Sequence, residues 1–143
     1  MLPNSLERIV AEQMHRIEEL ERKLENRTRT GTVHEVDAAK GLARVKIDED
    51  KDGKPVLSPW IAWKEPAMGA IKTHFPPEVG EQVKITSESG DITDAVIDYS
   101  LPSNANARPH DKGREGVITI GDTRIHFTGD VVNIKSARIN LNP

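Results

Sequence analysis

The chain has 143 residues, a formal net charge of −3 and no cysteine. The absence of cysteine excludes disulfides, thiolate metal sites and cysteine nucleophiles. The charge disfavours a general polyanion-binding protein, because affinity for phosphate backbones depends on clustered lysine and arginine. Aromatic residues make up only 3% of the sequence, so we expect a modest core that neighbouring subunits help to complete.

The first predicted element is a long helix. Residues 5–26 contain neither glycine nor proline and are rich in Glu, Leu, Arg and Lys, which favour helices. Their heptad spacing predicts a coiled-coil-like seam within an N-terminal segment, residues 1–28. The seam consists of Leu6, Val10, Gln13, Ile17, Leu20 and Leu24. Two arrangements stay open: a coiled coil between copies, which the flanking charges favour, or docking on its own domain or on other proteins.

Residues 29–100 change to an alternation of apolar and polar positions, which is typical of strands. The candidate strands are bounded by Pro, Gly or Asp, and they cover residues 32–36, 42–47, 60–63, 70–73, 82–86 and 91–99. The first two form a hairpin in which Gly41 supplies the turn conformation. So many short strands in one segment predict a small Greek-key barrel of the OB type.

The last part of the chain contains a repeat of seven residues, after a predicted surface linker at residues 101–115. Cut into sevens, residues 117–143 read VITIGDT, RIHFTGD, VVNIKSA and RINLNP. Each repeat contributes one pair of apolar residues: Ile118 and Ile120, Ile125 and Phe127, Val132 and Ile134, Ile139 and Leu141. An odd period flips faces in a continuous strand, so the chain must turn between repeats to keep all pairs on one side.

A single sheet built from these short repeats in residues 116–143 is marginal in water. Three copies that turn their apolar pairs toward a common axis would form a closed β-prism or a short intertwined triple-stranded β-helix. Neighbouring chains would then also pair the strand edges. The predicted fold is therefore mainly β, with an N-terminal α-helix, an OB-fold barrel and a C-terminal β-helix or β-prism formed in a homotrimer.

Signals for catalysis and metal binding are weak in this sequence. The acidic run at residues 48–52 lies in a turn region, where solvated carboxylates are commoner than a catalytic pair. No two histidines have the i, i+2 or i, i+4 spacing of a local metal-binding pair. His126 lies opposite the apolar pair of its repeat and is expected on an exposed outer face. We therefore expect no enzyme activity, no catalytic or metal-binding residues and no cofactor.

Several barrel segments resemble the OB domain of the phage baseplate assembly protein V family. They are Arg29–Asp37, Ala43–Ile47, Trp60–Trp63, His74–Val83, Ser87–Asp91 and Tyr99–Ser100, followed by an exit with Asn104 and Asn106. The most specific string is Pro-Pro-x-Val-Gly-x-Gln-Val, which begins at Pro76. The order of helix, OB barrel and β-spike extends the resemblance to nearly the whole chain.

The resemblance implies a trimeric spike at the centre of a contractile phage-tail baseplate, assembled in the host cytoplasm and carried in the virion. It would sit beneath the tail tube, contact a baseplate hub protein, and pierce the host outer membrane when the sheath contracts. Longer members of the family end in a His-x-His tip that binds iron. This sequence lacks His-x-His after its fourth repeat, so we expect a blunt spike or a separate tip protein as a cap. Nucleic acid is not an expected partner.

Three other interpretations stay open. An OB-fold module for single-stranded nucleic acid or oligosaccharide would use Trp60 and Trp63, beside Lys64, as stacking platforms, although packing within the barrel or an interface is favoured. A peptidoglycan hydrolase is the enzymatic alternative. A spike from a type VI or extracellular injection machine would have the same mechanical role.

Overall fold

The computed structural model describes residues 2–143, and Met1, the first residue of the predicted segment 1–28, lies outside the described residues. The chain divides into two compact units, one ending at Asn106 and the other starting at Ala107. The predicted linker at residues 101–115 straddles this division. The elements are α1 (Leu2–Asn26), β1 (Thr28–Asp37), β2 (Leu42–Glu49), β3 (Pro55–Leu57), β4 (Ile61–Ala62), β5 (Gln82–Thr86), a 3-10 helix (Ile92–Asp94), β6 (Val96–Leu101), β7 (Gly116–Ile120), β8 (Thr123–Phe127) and β9 (Val132–Lys135).

Strand β1 lies at the centre of a six-stranded sheet in the first unit. It pairs with β2 on one side and with β5 on the other, β5 pairs with β6, and β2 pairs with both β3 and β4, all antiparallel. A parallel bridge between Trp63 and Ile97 joins the end of β4 to β6, and the backbone N–H of Lys64 donates to the Ile97 carbonyl at 2.9 Å. Because this bridge joins the two ends of the sheet, the strands close into a small barrel, as expected of an OB fold.

The barrel interior is narrow and aliphatic. Its buried hydrophobic residues are Val33, Ala43, Val45, Ile61, Val83, Ile85, Ala95 and Ile97. They lie two residues apart on β2 and β5, because alternate strand residues face the interior. Ser58 is also fully buried, and its hydroxyl accepts a hydrogen bond from the backbone N–H of Val45 at 2.9 Å. Small side chains fill this interior, which is why so few aromatic residues suffice.

The predicted strand at residues 70–73 is wrong. This segment forms a compact loop with a single antiparallel bridge between Met68 and Lys72. Its backbone hydrogen bonds stay local, from Thr73 N–H to the Ala67 carbonyl and from Gly69 N–H to the Ile71 carbonyl, both at 3.0 Å. Since Ile71 is exposed, burial does not draw the segment into the sheet.

Glu65 holds this loop together with one carboxylate. Its Oε1 accepts hydrogen bonds from the Trp63 indole at 3.1 Å and from the backbone N–H of Phe75 at 2.5 Å, and its Oε2 accepts one from the Thr73 hydroxyl at 3.1 Å. These donors, the Phe75 N–H above all, hold the pKa of Glu65 below its usual range. The loop therefore depends on an ionised side chain.

The second unit contains an antiparallel sheet in the order β7, β8, β9. The fourth repeat, with Ile139 and Leu141, was predicted to form a strand, and it forms none in the structure. Within the described residues the outer edge of β9 is unpaired, and the single chain builds an open sheet of three strands.

Helix α1 is amphipathic. Within residues 2–143, no helix combines the length and apolar character needed to cross a membrane.

The last turn of α1 lies against the loop after β5. A Cβ atom placed on Gly90 would lie 2.5 Å from the Lys23 carbonyl oxygen and 2.7 Å from its Cα. The absence of a side chain at Gly90 therefore allows the helix end to approach this closely.

We predict that Gly90→Ala destabilises the protein more than Gly53→Ala does. Both glycines have φ near 80°, so both substitutions carry similar backbone strain. A Cβ at Gly53 meets nothing within 4 Å, whereas one at Gly90 overlaps the helix backbone and should cost a further ~1–3 kcal/mol. Urea denaturation of the two variants measures the difference. Equal losses would show that the end of α1 moves aside freely.

A second prediction concerns the acid stability of the Glu65 loop. The ionised Glu65 carboxylate contributes fully to the stability of the folded state above about pH 4.3, where unperturbed glutamate titrates. This contribution is lost as the pH falls through the lowered pKa of Glu65 in the folded protein. We expect Glu65→Gln to destabilise the protein at neutral pH. The difference in stability between this variant and the parent should disappear in acid. Acid titration followed by tryptophan fluorescence measures this. Glu88→Gln, at an exposed position, serves as the control, and a gap of Glu65→Gln that stays constant with pH would contradict the prediction.

Candidate functional site

One face of the β7–β8–β9 sheet is almost wholly apolar. Ile118 lies opposite Ile125, which lies opposite Ile134 on the third strand, and Phe127 lies opposite Val132. Opposed residues in antiparallel strands share a face, and so do residues two apart. The three pairs from β7, β8 and β9 therefore lie together on the same side: Ile118, Ile120, Ile125, Phe127, Val132 and Ile134.

This apolar face is open to solvent in the single chain. Ile118 and Ile134 are 53% and 52% exposed, and Ile120 is 80% exposed. Ile139 and Leu141, which follow β9, are exposed as well. A contiguous apolar surface of this kind marks a site of association, because leaving it in water is unfavourable.

The seam of α1 is a second open apolar surface. Its five apolar residues are between 49% and 64% exposed, namely Leu6, Val10, Ile17, Leu20 and Leu24. Gln13 is exposed too, and so are Ile9 and Met14 beside the seam. The seam therefore does not dock along its length on the barrel of the same chain, which was one of the two predicted arrangements. Association with other copies or with other proteins is the arrangement that the open seam favours.

The acidic run after β2 is a self-contained turn. Asp50 accepts hydrogen bonds from the backbone N–H groups of Asp52 at 2.9 Å and of Lys54 at 2.8 Å through the same oxygen, which is the local bonding that favours aspartate in turns. Glu49 pairs with Lys46. The carboxylates thus shape the loop, in agreement with the solvated interpretation of this run.

The two tryptophans have different surroundings. Trp63 packs against the barrel core, and Glu65 accepts its indole N–H. Trp60 is 45% exposed. Lys64, the cation that would accompany base stacking, forms an ion pair with Asp98 at 3.0 Å. Trp63 thus contributes to packing, the role that the sequence favoured over a stacking platform shared with Trp60.

The face of the second sheet opposite the apolar residues carries His126, aligned with Val117 and Asn133. The predicted face is confirmed, but the predicted exposure is wrong, because only 20% of the His126 side chain is accessible. Glu115 and His110, from the segment before β7, lie against it. That segment lies within the predicted surface linker, residues 101–115.

These three side chains form a histidine–carboxylate cluster, which we define as His110, Glu115 and His126. Oε1 of Glu115 lies 2.6 Å from Nε2 of His126 and 3.2 Å from Nε2 of His110. The hydrogen bond from His126, followed by that from His110, holds the pKa of Glu115 below its usual range. The carboxylate is therefore ionised and shared between two imidazoles.

Sequence reasoning missed the cluster because it tested only local spacing. His110 and Glu115 precede β7 in a segment without any periodic pattern, and His126 lies in the middle of β8. The parity of His126, opposite the apolar pair, was the one available signal that it faced a different environment from the apolar residues. Its partners depend on where the preceding segment folds, and spacing does not encode that.

Comparison with known proteins places the barrel in a family. The sequence model of the type VI secretion system/phage-baseplate injector OB domain matches residues 29–101, which is half of the chain and includes nearly all of β1–β6. The chain is also similar to the spike protein of Escherichia phage P2, with 32% identity over 93 residues, or 65% of this chain and 41% of the phage protein. The match thus spans less than half the length of that relative. The resemblance predicted from the sequence is confirmed, and the chain belongs to the phage-baseplate and type VI injector family defined by this OB domain.

Proposed function

We propose that three copies of this chain form the central spike of a contractile phage-tail baseplate, beneath the tail tube, and pierce the host outer membrane when the sheath contracts. The observation that carries the proposal is the open apolar face of the β7–β8–β9 sheet in a chain of the injector family. Similarity to a phage spike protein supports a phage tail over a type VI machine.

The exposed face supports closure by three copies. Ile118, Ile125 and Ile134 form a row across the sheet, to which each strand contributes one residue. Three such sheets would therefore enclose a narrow axis filled by aliphatic side chains. Within the described residues β7 and β9 each have one unpaired edge, and neighbouring copies would pair those edges. Ile139 and Leu141, which are also exposed, would gain cover in such an assembly.

The proposed role is mechanical. A spike needs stiffness along one axis, and interchain strand pairing around a dry core gives high kinetic stability, because unfolding one chain breaks contacts with two others. The acidic turn and the packed Trp63 have structural explanations, so we assign the chain no catalytic residue and no role in binding nucleic acid.

Partners are proposed at both ends of the chain. The open seam of α1 suits either a three-stranded coiled coil or a groove on the baseplate hub protein. Leu141, 87% exposed near the C-terminal end of the sequence, is suited to contact with a separate tip protein. Contact with the host membrane would be transient and would involve the tip during penetration.

Native mass and detergent resistance test the trimer. The parent chain should be a trimer that survives warm detergent. Ile134→Asp should give monomers, because it would place three unpaired charges in a narrow apolar core. An uncompensated buried charge costs about 3–5 kcal/mol. Ile125→Asp should act in the same way. Thr119→Asp is the matched control, since Thr119 is exposed on the opposite face of the same sheet.

A monomeric parent, or a trimer of Ile134→Asp as stable as the parent, would overturn the proposed trimer. Phages that carry each variant test the function itself. We expect Ile134→Asp particles to lose infectivity and Thr119→Asp particles to keep it. Salt-sensitive binding of an oligonucleotide by a monomeric parent would instead favour the OB-fold binding module.

A further inference from the structure

We propose that His110, Glu115 and His126 bind one divalent transition-metal ion of the zinc class in each chain. All three residues lie in the unit that starts at Ala107, so the site is complete in a single chain. The inference rests on this cluster alone and does not depend on the proposed trimer or on piercing.

The donor atoms have the chemistry that zinc requires, and modest shifts would give them its spacing. Two imidazoles and one carboxylate form a common three-ligand set for zinc, which leaves a fourth position for water. The three ligand atoms lie within 4.8 Å of one another. Bonds of 2.0–2.2 Å around a tetrahedral zinc ion place ligand atoms about 3.3 Å apart. The 3.2 Å separation of Glu115 and His110 matches that value, and the 2.6 Å separation of Glu115 and His126 would need to widen.

The surrounding structure holds the donors in place. His126 is fixed on the central strand, between Val117 and Asn133. Glu115 directly precedes β7, whose first residue, Gly116, pairs with Phe127. The side chains of His110, Glu115 and His126 are only 18%, 21% and 20% exposed. Partial burial limits the competition of water for the ligands, and a bound ion would tie the segment before β7 to the middle of the sheet.

Arg124 competes with the metal. One of its guanidinium nitrogens lies 3.1 Å from Nδ1 of His110, and another donates to the Pro109 carbonyl at 3.3 Å. Because arginine can only donate, Nδ1 of His110 is the acceptor in this contact and the ring N–H at Nε2 points toward Glu115. Metal binding through Nε2 requires the proton on Nδ1, so Arg124 must release the ring. The guanidinium charge also opposes a nearby cation.

This competition yields a test that loss of folding cannot imitate. Removing Arg124 should strengthen metal binding, whereas removing any of the three ligands should weaken it. A variant that merely misfolds can lose affinity, but it has no reason to gain it.

The experiment is calorimetric titration of ZnCl₂ into the untagged, chelator-treated full chain. We expect one zinc ion per chain and a rise in melting temperature on binding. His126→Ala and Glu115→Gln should each weaken binding at least ~10-fold, and Arg124→Ala should tighten it about threefold or more. His34→Ala is the control, because His34 is an exposed histidine on β1, and its affinity should equal that of the parent.

Cobalt substitution provides a second readout. Co²⁺ in a site of four ligands absorbs visible light strongly, and we expect this band in the parent and in Arg124→Ala but not in His126→Ala. The proposal is overturned if the parent binds zinc no better than His126→Ala does, or if Arg124→Ala weakens binding. In either case the cluster would be a hydrogen-bonded clamp between the segment before β7 and β8.

Discussion

A small sheet with one apolar face cannot leave that face in water, and this constraint governs the C-terminal part of the protein. The repeat of seven residues places a pair of apolar side chains on each of three strands, and the observed register brings them to the same side. Nothing in the described part of the same unit covers them, as the exposure of Ile120 and Ile134 shows. This open face is the basis for the proposed assembly, in which other copies of the chain would cover it.

The two faces of this sheet are stabilised in different ways. The apolar face is open to solvent, while the opposite face is covered by the segment that leads into β7. Glu115 bridges His110 and His126 there, and Arg124 braces His110 from the other side. Polar contacts within one chain thus fix the segment before β7 against this face of the sheet.

The barrel has a small core with few large side chains. Small aliphatic residues fill most of its narrow interior, and the parallel bridge from Trp63 to Ile97 closes it. Its longest loop, between β4 and β5, is held together by Glu65, which accepts hydrogen bonds from two side chains and one backbone N–H. Backbone hydrogen bonds within the loop satisfy further polar groups. The family match rests on this barrel, so these contacts belong to the part of the chain that defines its relatives.

Periodicity and punctuation in the sequence determined much of this protein. The helical period located α1 and its seam, and alternation bounded by Gly, Pro and Asp located most barrel strands. The repeat assigned Ile118, Ile125 and Ile134 to one face. These features could be predicted because they depend on local backbone geometry. Only the tertiary structure decided that residues 70–73 form a loop and that the fourth repeat forms no strand within the described residues. It alone brought His110 and Glu115 to His126. Such contacts join segments that have no common period, and their geometry depends on the path of the whole chain.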